Sequence, residues 1–136
     1  MSGHCFYPLR NSLSVDLRGD GPDVASVSSP SELRGAQKAV RSVHTSEALV
    51  RYVVALLSAT REHPLVEVGA SPRAGLLLIS AARARAAIDG RAFVVPDDVQ
   101  AMAPHVLRHR LQLTPSAPSN AADRVVADAL VAVPAR

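Results

Sequence analysis

An arginine near the middle of the chain has a setting that suits it to bind an anion. Ser71, Pro72 and Arg73 follow Gly69-Ala70 and precede a long apolar run. Ser71 is a favourable N-cap residue and Pro72 fits the first helical position, so this order predicts a helix that starts at Pro72. Arg73 then lies in the first turn, where unpaired N–H groups and the positive end of the helix dipole already attract anions. The alternative is an arginine that only faces solvent.

Four short motifs occur around this arginine at close intervals. They are Thr60-Arg61-Glu62-His63-Pro64, Gly69-Ala70-Ser71-Pro72-Arg73-Ala74, Asp89-Gly90-Arg91 with Val95-Pro96-Asp97-Asp98-Val99, and Leu107-Arg108-His109-Arg110. Together they resemble the lid domain of the MoxR family of AAA+ ATPases and, more distantly, the lid of the magnesium-chelatase ATPase subunit. The resemblance is strong from about Val43 to Thr114 and fainter on both sides of that stretch.

The resemblance implies a function for the arginine. In that family the arginine of the Gly-Ala-Ser-Pro-Arg motif is sensor 2, which contacts the terminal phosphate of ATP. This catalytic role falls on Arg73, with Ser71 beside it in the nucleotide site. The lid would fold against a nucleotide-binding core, in its own subunit or in a neighbour, within a ring-shaped oligomer. The resemblance also implies a chaperone-like motor that acts on partners carrying von Willebrand factor A domains.

The phosphate-binding loop of such an ATPase is not in this sequence. No Gly-x-x-x-x-Gly-Lys-Ser/Thr pattern occurs, and the single lysine, Lys38, lies in the unrelated stretch Gly35-Ala36-Gln37-Lys38-Ala39. No apolar strand followed by two acidic residues is present to hold magnesium. We therefore expect ATP and Mg²⁺ to be held by a separate core domain, and we expect the chain alone not to hydrolyse ATP. A truncated or frameshifted ATPase and a genuine free-standing lid both stay open.

Composition indicates one domain, or one domain with tails, and an aliphatic core. The chain has 136 residues, with two Phe, two Tyr and no Trp. A chain of this size can bury roughly two-thirds of its unfolded surface. Cys5 is the only cysteine, which excludes an internal disulfide. The first ten residues lack the apolar core of a secretory signal and no apolar run approaches ~18 residues, so a cytoplasmic bacterial protein is expected.

Hydrophobic periodicity and cap residues predict an all-α fold, a compact bundle of four to five helices with a short extended connection. We expect an irregular or disordered segment at residues 1–28, the lid helices at residues 29–114, and a linker with a last helix at residues 115–136. The helices are expected to start at serine, proline or asparagine signals, namely Ser29-Pro30, after Thr45, Ser71-Pro72, Pro96 and Asn120. Extended backbone is expected at Val66-Glu67-Val68 and at Ala92–Val95.

The third helix is predicted to be the buried centre of the bundle. It should run from Pro72 to about Asp89, with Gly90 as the C′ residue, the first residue beyond the C-terminal cap. The large apolar residues of this helix would lie around most of its circumference, and Leu77 in particular is expected to fill a core site. These apolar residues are Leu76, Leu77, Leu78 and Ile79.

Two pairs of titratable residues allow both a functional and a structural interpretation. His105 and His109 have the i, i+4 spacing of a zinc-binding pair, but a third ligand is missing, so a solvated or hydrogen-bonded pair is favoured and no metal site is expected. Asp97 and Asp98 could be paired catalytic carboxylates. Their position in the first turn of a helix favours an interaction with the helix dipole instead.

The remaining arginines leave further alternatives. Arg61 ends a helix, where it could cap the last carbonyls or pair with Glu62 or Glu67, or could contact a core domain or a neighbouring subunit. A basic patch for nucleic acid is disfavoured because no aromatic residues are interleaved with the arginines. Two other functions stay open: a free-standing helical adaptor that regulates a separate ATPase, and a small basic DNA-binding helical module. The arginines that could form the patch are Arg83, Arg85, Arg91, Arg108 and Arg110.

Overall fold

The computed structural model describes residues 26–135, so the predictions for Cys5 and for most of residues 1–28 lie outside its range. Five α-helices dominate this range, which confirms the predicted helical class. All of these helices are too short or too polar to cross a lipid bilayer. The helices are α1 (Pro30–Ser42), α2 (Glu47–Glu62), α3 (Pro72–Ile88), α4 (Pro96–Leu107) and α5 (Ala121–Ala132), and a turn of 3-10 helix follows α4 at Arg108–Arg110.

Short-range hydrogen bonds set the starts of the first two helices. Ser29 accepts a hydrogen bond from the backbone N–H of Glu32, whose carboxylate accepts from the N–H of Ser29 at 2.7 Å, completing the predicted capping box. Ser46 accepts from the N–H of Leu49 at 3.2 Å at the start of α2. Asn120 precedes α5 as predicted, although its side chain makes no capping hydrogen bond.

The centre of the core is one face of α3, which packs against α1, α2 and α4. Leu78 is fully buried on this face, between Ala74 and Ala82, which lie one turn away on either side and are also fully buried. Leu77 is 39% exposed and Leu76 is 68% exposed. The prediction that Leu77 fills a core site is therefore wrong. Successive residues of a helix are rotated by about 100° around its axis, so four consecutive apolar residues lie on different sides of α3. The positions of the neighbouring helices alone decide which of the four are buried.

The last helix, α5, closes the bundle against α2 and α4. Val125 and Val126 are almost completely buried, and His63 at the end of α2 lies 3.2 Å from the carboxylate of Asp128. Pro104 is predicted to bend or split α4, and the helix is not split, since it continues through Pro104 to Leu107. The rest of the core consists mainly of aliphatic residues, among them Val43, Leu49, Val53, Leu56, Leu57, Val94, Val99, Ala103 and Leu107.

Two extended pairings hold the connections between helices. Strand β1 (Val66–Val68) pairs antiparallel with strand β2 (Gln112–Leu113), with Val66 opposite Leu113. The alternation of apolar and polar residues over Val66–Val68 predicts β1 from the sequence. Strand β2 has only two residues, which is too short to show a period. The N–H of His44 also donates to the carbonyl of Ala92 at 2.8 Å, beside an isolated parallel bridge to Phe93. Because β1 pairs with a strand that follows α4, it fixes the path from α2 to α3.

Gly90 and Gly35 should respond oppositely to replacement by alanine. Gly90 follows Asp89, the C-cap of α3, and has φ +73°, as the C′ prediction requires. Gly35 lies inside the exposed helix α1, where an added Cβ would meet no atom within 4 Å. We expect Gly90→Ala to lower the free energy of unfolding by about 1–2 kcal/mol, because an L residue is strained there. Gly35→Ala should raise helix stability by about 0.5–1 kcal/mol. Thermal melts of both variants test this, and equal effects would contradict it.

Candidate functional site

Arg73 lies in the first turn of α3, as the sequence predicts. Ser71 is the N-cap, and its Oγ accepts from the N–H of Ala74 at 3.4 Å while its carbonyl accepts from the same N–H at 2.9 Å. Pro72 occupies the first helical position. The side chain of Arg73 is exposed and forms no ion pair with any residue between 26 and 135. A guanidinium and the positive end of a helix therefore face solvent together, an arrangement that favours an anion.

The peptide groups just before this helix are held by the end of α2. Ala70 is completely buried, and its N–H donates to Oγ1 of Thr60 at 3.1 Å. Thr60 Oγ1 in turn donates to the carbonyl of Leu57 at 2.7 Å. The carbonyl of Ala70 accepts from Nη2 and Nε of Arg61 at 3.0 and 3.3 Å. Both polar backbone groups of Ala70 are thus satisfied by two consecutive side chains.

This result corrects the structural interpretation of Arg61. The sequence favours capping of its own helix, or a pair with Glu62 or Glu67, whereas the guanidinium reaches across to the carbonyl of Ala70. The sequence carried one signal of this contact, since Gly69 directly follows a strand, where glycine often marks a close approach of two backbones. A Cβ on Gly69 would lie 2.7 Å from Cα of Arg61, so only glycine fits.

A second close approach seats the start of α3 on α2. Gly75 is buried, and a Cβ there would lie 2.8 Å from Cδ1 of Leu57. Next to it, an apolar groove of about 350 Å³ runs between the two helices. Its side chains include Val54 and Leu76, which are 55% and 68% exposed. The surface beside Arg73 is therefore aliphatic, although it faces solvent. The complete lining is Val50, Val53, Val54, Leu57, Arg61, Pro72, Gly75, Leu76 and Ile79.

Asp98 forms a buried ion pair that the sequence did not reveal. Its carboxylate is buried and accepts two hydrogen bonds of 2.7 Å from Arg91, with Arg85 at 3.4 Å. It also accepts from the N–H of Val95 at 2.9 Å. The hydrogen bonds from Arg91 outweigh burial and hold the pKa of Asp98 below its ordinary value of 3.8. Both aspartates lie in the first turn of α4 as predicted; Asp97 is exposed, and Asp98 in addition joins the end of α3 to the start of α4.

The arginines that could form a nucleic-acid patch are mostly engaged within the fold. Arg83 donates to Oγ1 of Thr45 at 2.8 Å, and Arg85 and Arg91 share the carboxylate of Asp98. Arg108 donates to Nε2 of His109 at 3.0 Å and lies 3.8 Å from Asp123. The geometry therefore gives the DNA-binding alternative no specific support.

The two histidines lie in two consecutive elements rather than in one α-helix, although both line the same shallow groove. His105 belongs to α4, whereas His109 lies in the 3-10 turn after it, where it accepts the hydrogen bond from Arg108. In the part of the chain that the structure describes, no three His, Cys, Asp or Glu residues are grouped to hold a metal ion.

Comparison with known proteins identifies the fold. Residues 58–129 match the model of the AAA lid domain family. The chain is 41% identical over 81 residues to the uncharacterised protein YeaC of Bacillus subtilis, an alignment that covers 60% of this chain and 25% of the relative. It is 40% identical over 102 residues to chaperone MoxR1 of Mycobacterium tuberculosis, covering 68% of this chain and 27% of the relative.

A solved structure agrees with these sequence matches. A candidate ATPase from Cytophaga hutchinsonii superposes with a TM-score of 0.76 at 25% identity, over 94% of this chain and 43% of that chain. The chain thus spans about a quarter of the length of the two curated relatives and less than half of the solved one. The match to the family model confirms the resemblance that the four motifs carry. The chain belongs to the AAA lid domain family, in the form that is found in MoxR proteins.

Proposed function

We propose that this lid domain supplies Arg73 as the sensor 2 arginine of a MoxR-type ATPase, where the guanidinium contacts the terminal phosphate of ATP. The observation that carries the proposal is the exposed Arg73 in the first turn of α3, without a counter-ion among residues 26–135. A cation at this end of a helix is unfavourable by itself and becomes favourable when an anion binds. The position therefore suits a ligand-binding residue better than a purely structural one.

Ser71 supports the same site. Its oxygen accepts the N–H of Ala74, and its hydroxyl proton is not used in that contact, so it can donate to a phosphate oxygen. ATP with Mg²⁺ supplies the phosphoryl group and the metal that neutralises its charge. The residues described fit a phosphate but not the metal, because no acidic cluster is grouped among residues 26–135. Mg²⁺ would be held by the core domain of the ATPase.

The apolar groove between α2 and α3 is consistent with a lid that docks on such a core. Exposed Val54 and Leu76 lie on the same side of the bundle as Pro72, the residue before Arg73. A core that covers this surface would also exclude water around the arginine, which strengthens its interaction with phosphate. We extend the proposal to a ring of such subunits that works as a chaperone-like motor on partners with von Willebrand factor A domains, on the strength of the family resemblance.

Replacement of Arg73 tests the proposal. The chain is fused behind, or added to, the core of a MoxR ATPase that lacks its own lid, and turnover of ATP is measured. Arg73→Ala should lower turnover about 10- to 100-fold, since a lost charge-assisted contact costs roughly 1.5–3 kcal/mol. Arg73→Lys should restore only part of the rate, because an ammonium lacks the forked donors.

The same variants measured without a core separate function from folding. For the chain alone, Arg73→Ala should leave the melting temperature unchanged or slightly raised, because the helix dipole opposes a cation there. Arg51→Ala is the matched control, since Arg51 is an exposed arginine of α2 that pairs with exposed Glu47 at 3.2 Å. A lower melting temperature with unchanged turnover would make Arg73 a structural residue and overturn the proposal.

A further inference from the structure

We infer that Thr60 and Arg61 are positioning residues for Arg73, an inference that rests on the function proposed above. Both side chains make a contact outside the helix in which they lie: Thr60 also donates to the carbonyl of Leu57 within α2, whereas Arg61 turns away from its own helix. Both bind the backbone of Ala70, three residues before Arg73. The pair therefore connects the end of α2 to the start of the helix that carries the phosphate-binding arginine.

The contacts leave the Ala70 peptide groups little freedom. Its N–H and its carbonyl are held by two different side chains, and its own side chain is completely buried. Gly69, one residue earlier, packs directly on the backbone of Arg61 with no room for a Cβ. The peptide groups of Gly69 and Ala70 cannot rotate without breaking several contacts at once. The direction of the backbone that leads into Ser71 is therefore fixed.

That direction decides where the first turn of α3 points. Ser71 adopts φ −75° and ψ 162° and caps the helix through Ala74, which is completely buried. A rotation at Ala70 would carry the whole first turn with it, including Arg73. Because a displacement of about 1 Å at a reacting group can cost roughly a hundredfold in rate, small changes in this peptide should be visible in turnover.

The guanidinium of Arg61 suits this positioning role better than the ammonium of a lysine would. Nε and Nη2 both lie within 3.3 Å of one carbonyl oxygen, so the guanidinium restrains the carbonyl in direction as well as in distance. Thr60 adds a hydroxyl whose own proton is fixed on the carbonyl of Leu57, which leaves its oxygen lone pairs aimed at the Ala70 N–H. Each side chain can be tested by a replacement that keeps its shape.

Turnover of the core-plus-lid ATPase provides the test. Arg61→Met keeps the aliphatic stem and removes the donors, and it should lower turnover about 10- to 100-fold with Arg73 still present. Thr60→Val should lower turnover in the same way, while Thr60→Ser, which keeps the hydroxyl, should stay near the rate of the original protein. Arg51→Met is the matched control on the same helix and should have no effect.

A double variant shows whether Arg61 acts through Arg73. Arg61→Met combined with Arg73→Ala should be no slower than Arg73→Ala alone, because a positioning residue has nothing left to position. Multiplied losses would mean that Arg61 acts on its own and would overturn the inference. If Arg61→Met does not fold, Arg61→Lys carries the same cycle, with partial loss of turnover as the expected result.

A measurement without nucleotide separates this inference from the proposed function. In the full chain, hydrogen exchange of the Ala70 amide should be slow, and Thr60→Val should accelerate it at least about tenfold without a matching change in amides of α5. ATP turnover that is insensitive to Arg73→Ala would remove the proposed function, whatever the exchange data show. Sensitivity to Arg73→Ala combined with unchanged turnover in Arg61→Met and Thr60→Val would remove only the positioning role.

Discussion

Leu78→Ala is expected to lower the free energy of unfolding by about 2–5 kcal/mol, the usual cost of emptying a buried leucine site. Leu78 is completely buried, and its neighbours on the same face of α3, Ala74 and Ala82, are too small to close the resulting cavity. Chemical denaturation of the chain measures the change. The midpoint should fall with little change in the slope against denaturant, because the native core is weakened while the surface exposed on unfolding stays similar.

Leu77→Ala is the control for this experiment. The same atoms are removed from the adjacent residue, but Leu77 is 39% exposed, so we expect a loss of less than about 1 kcal/mol. The comparison holds helix propensity constant, since both variants place alanine inside α3. A larger loss for Leu77→Ala than for Leu78→Ala would mean that α3 is rotated in solution relative to this structure.

Asp98→Asn is expected to lower the free energy of unfolding by about 2–4 kcal/mol at neutral pH. The replacement keeps the size of the side chain and an oxygen that can accept from the N–H of Val95. It removes the charge that pairs with Arg91 and Arg85. The loss should fall short of the largest values for buried pairs, because both arginines are partly exposed and can turn to water.

The effect of Asp98 should depend on pH in a defined direction. Hydrogen bonds from Arg91 lower the pKa of Asp98 in the folded state below 3.8, its ordinary value. The unfolded chain therefore binds the proton first, so the stabilisation is complete above pH 3.8 and disappears as the pH falls through the folded pKa. The difference in stability between the original protein and Asp98→Asn should accordingly be constant near neutral pH and shrink below about pH 4.

Asp97→Asn separates the ion pair from the helix dipole. Asp97 lies in the same first turn of α4 but is exposed, so its loss should cost only about 0.3–1 kcal/mol. Urea unfolding at several pH values gives both comparisons. Equal losses of unfolding free energy for the two asparagine variants would contradict the assignment of Asp98 to a buried pair. A difference in stability between the original protein and Asp98→Asn that widens as the pH falls would contradict it as well.

The sequence by itself determined the features that depend on near neighbours in the chain. The capping box at Ser29, the N-cap at Ser71 and the left-handed Gly90 are each satisfied within a few residues, so residue type and spacing predict them. The position of Arg73 in the first turn of α3 follows from the same local chemistry. Its proposed role came from the motifs around it, because no single spacing distinguishes a phosphate ligand from a solvated arginine.

Only the tertiary structure decided which residues meet across the bundle. Leu77 and Leu78 are the same residue type side by side, and the position of the neighbouring helices alone determines that Leu78 is buried. Arg61 reaches Ala70, and Arg91 reaches Asp98, across turns whose course is set by packing of distant elements. Such contacts form because a buried carbonyl or carboxylate must be satisfied wherever the fold leaves it, and this need has no periodic signature in the sequence.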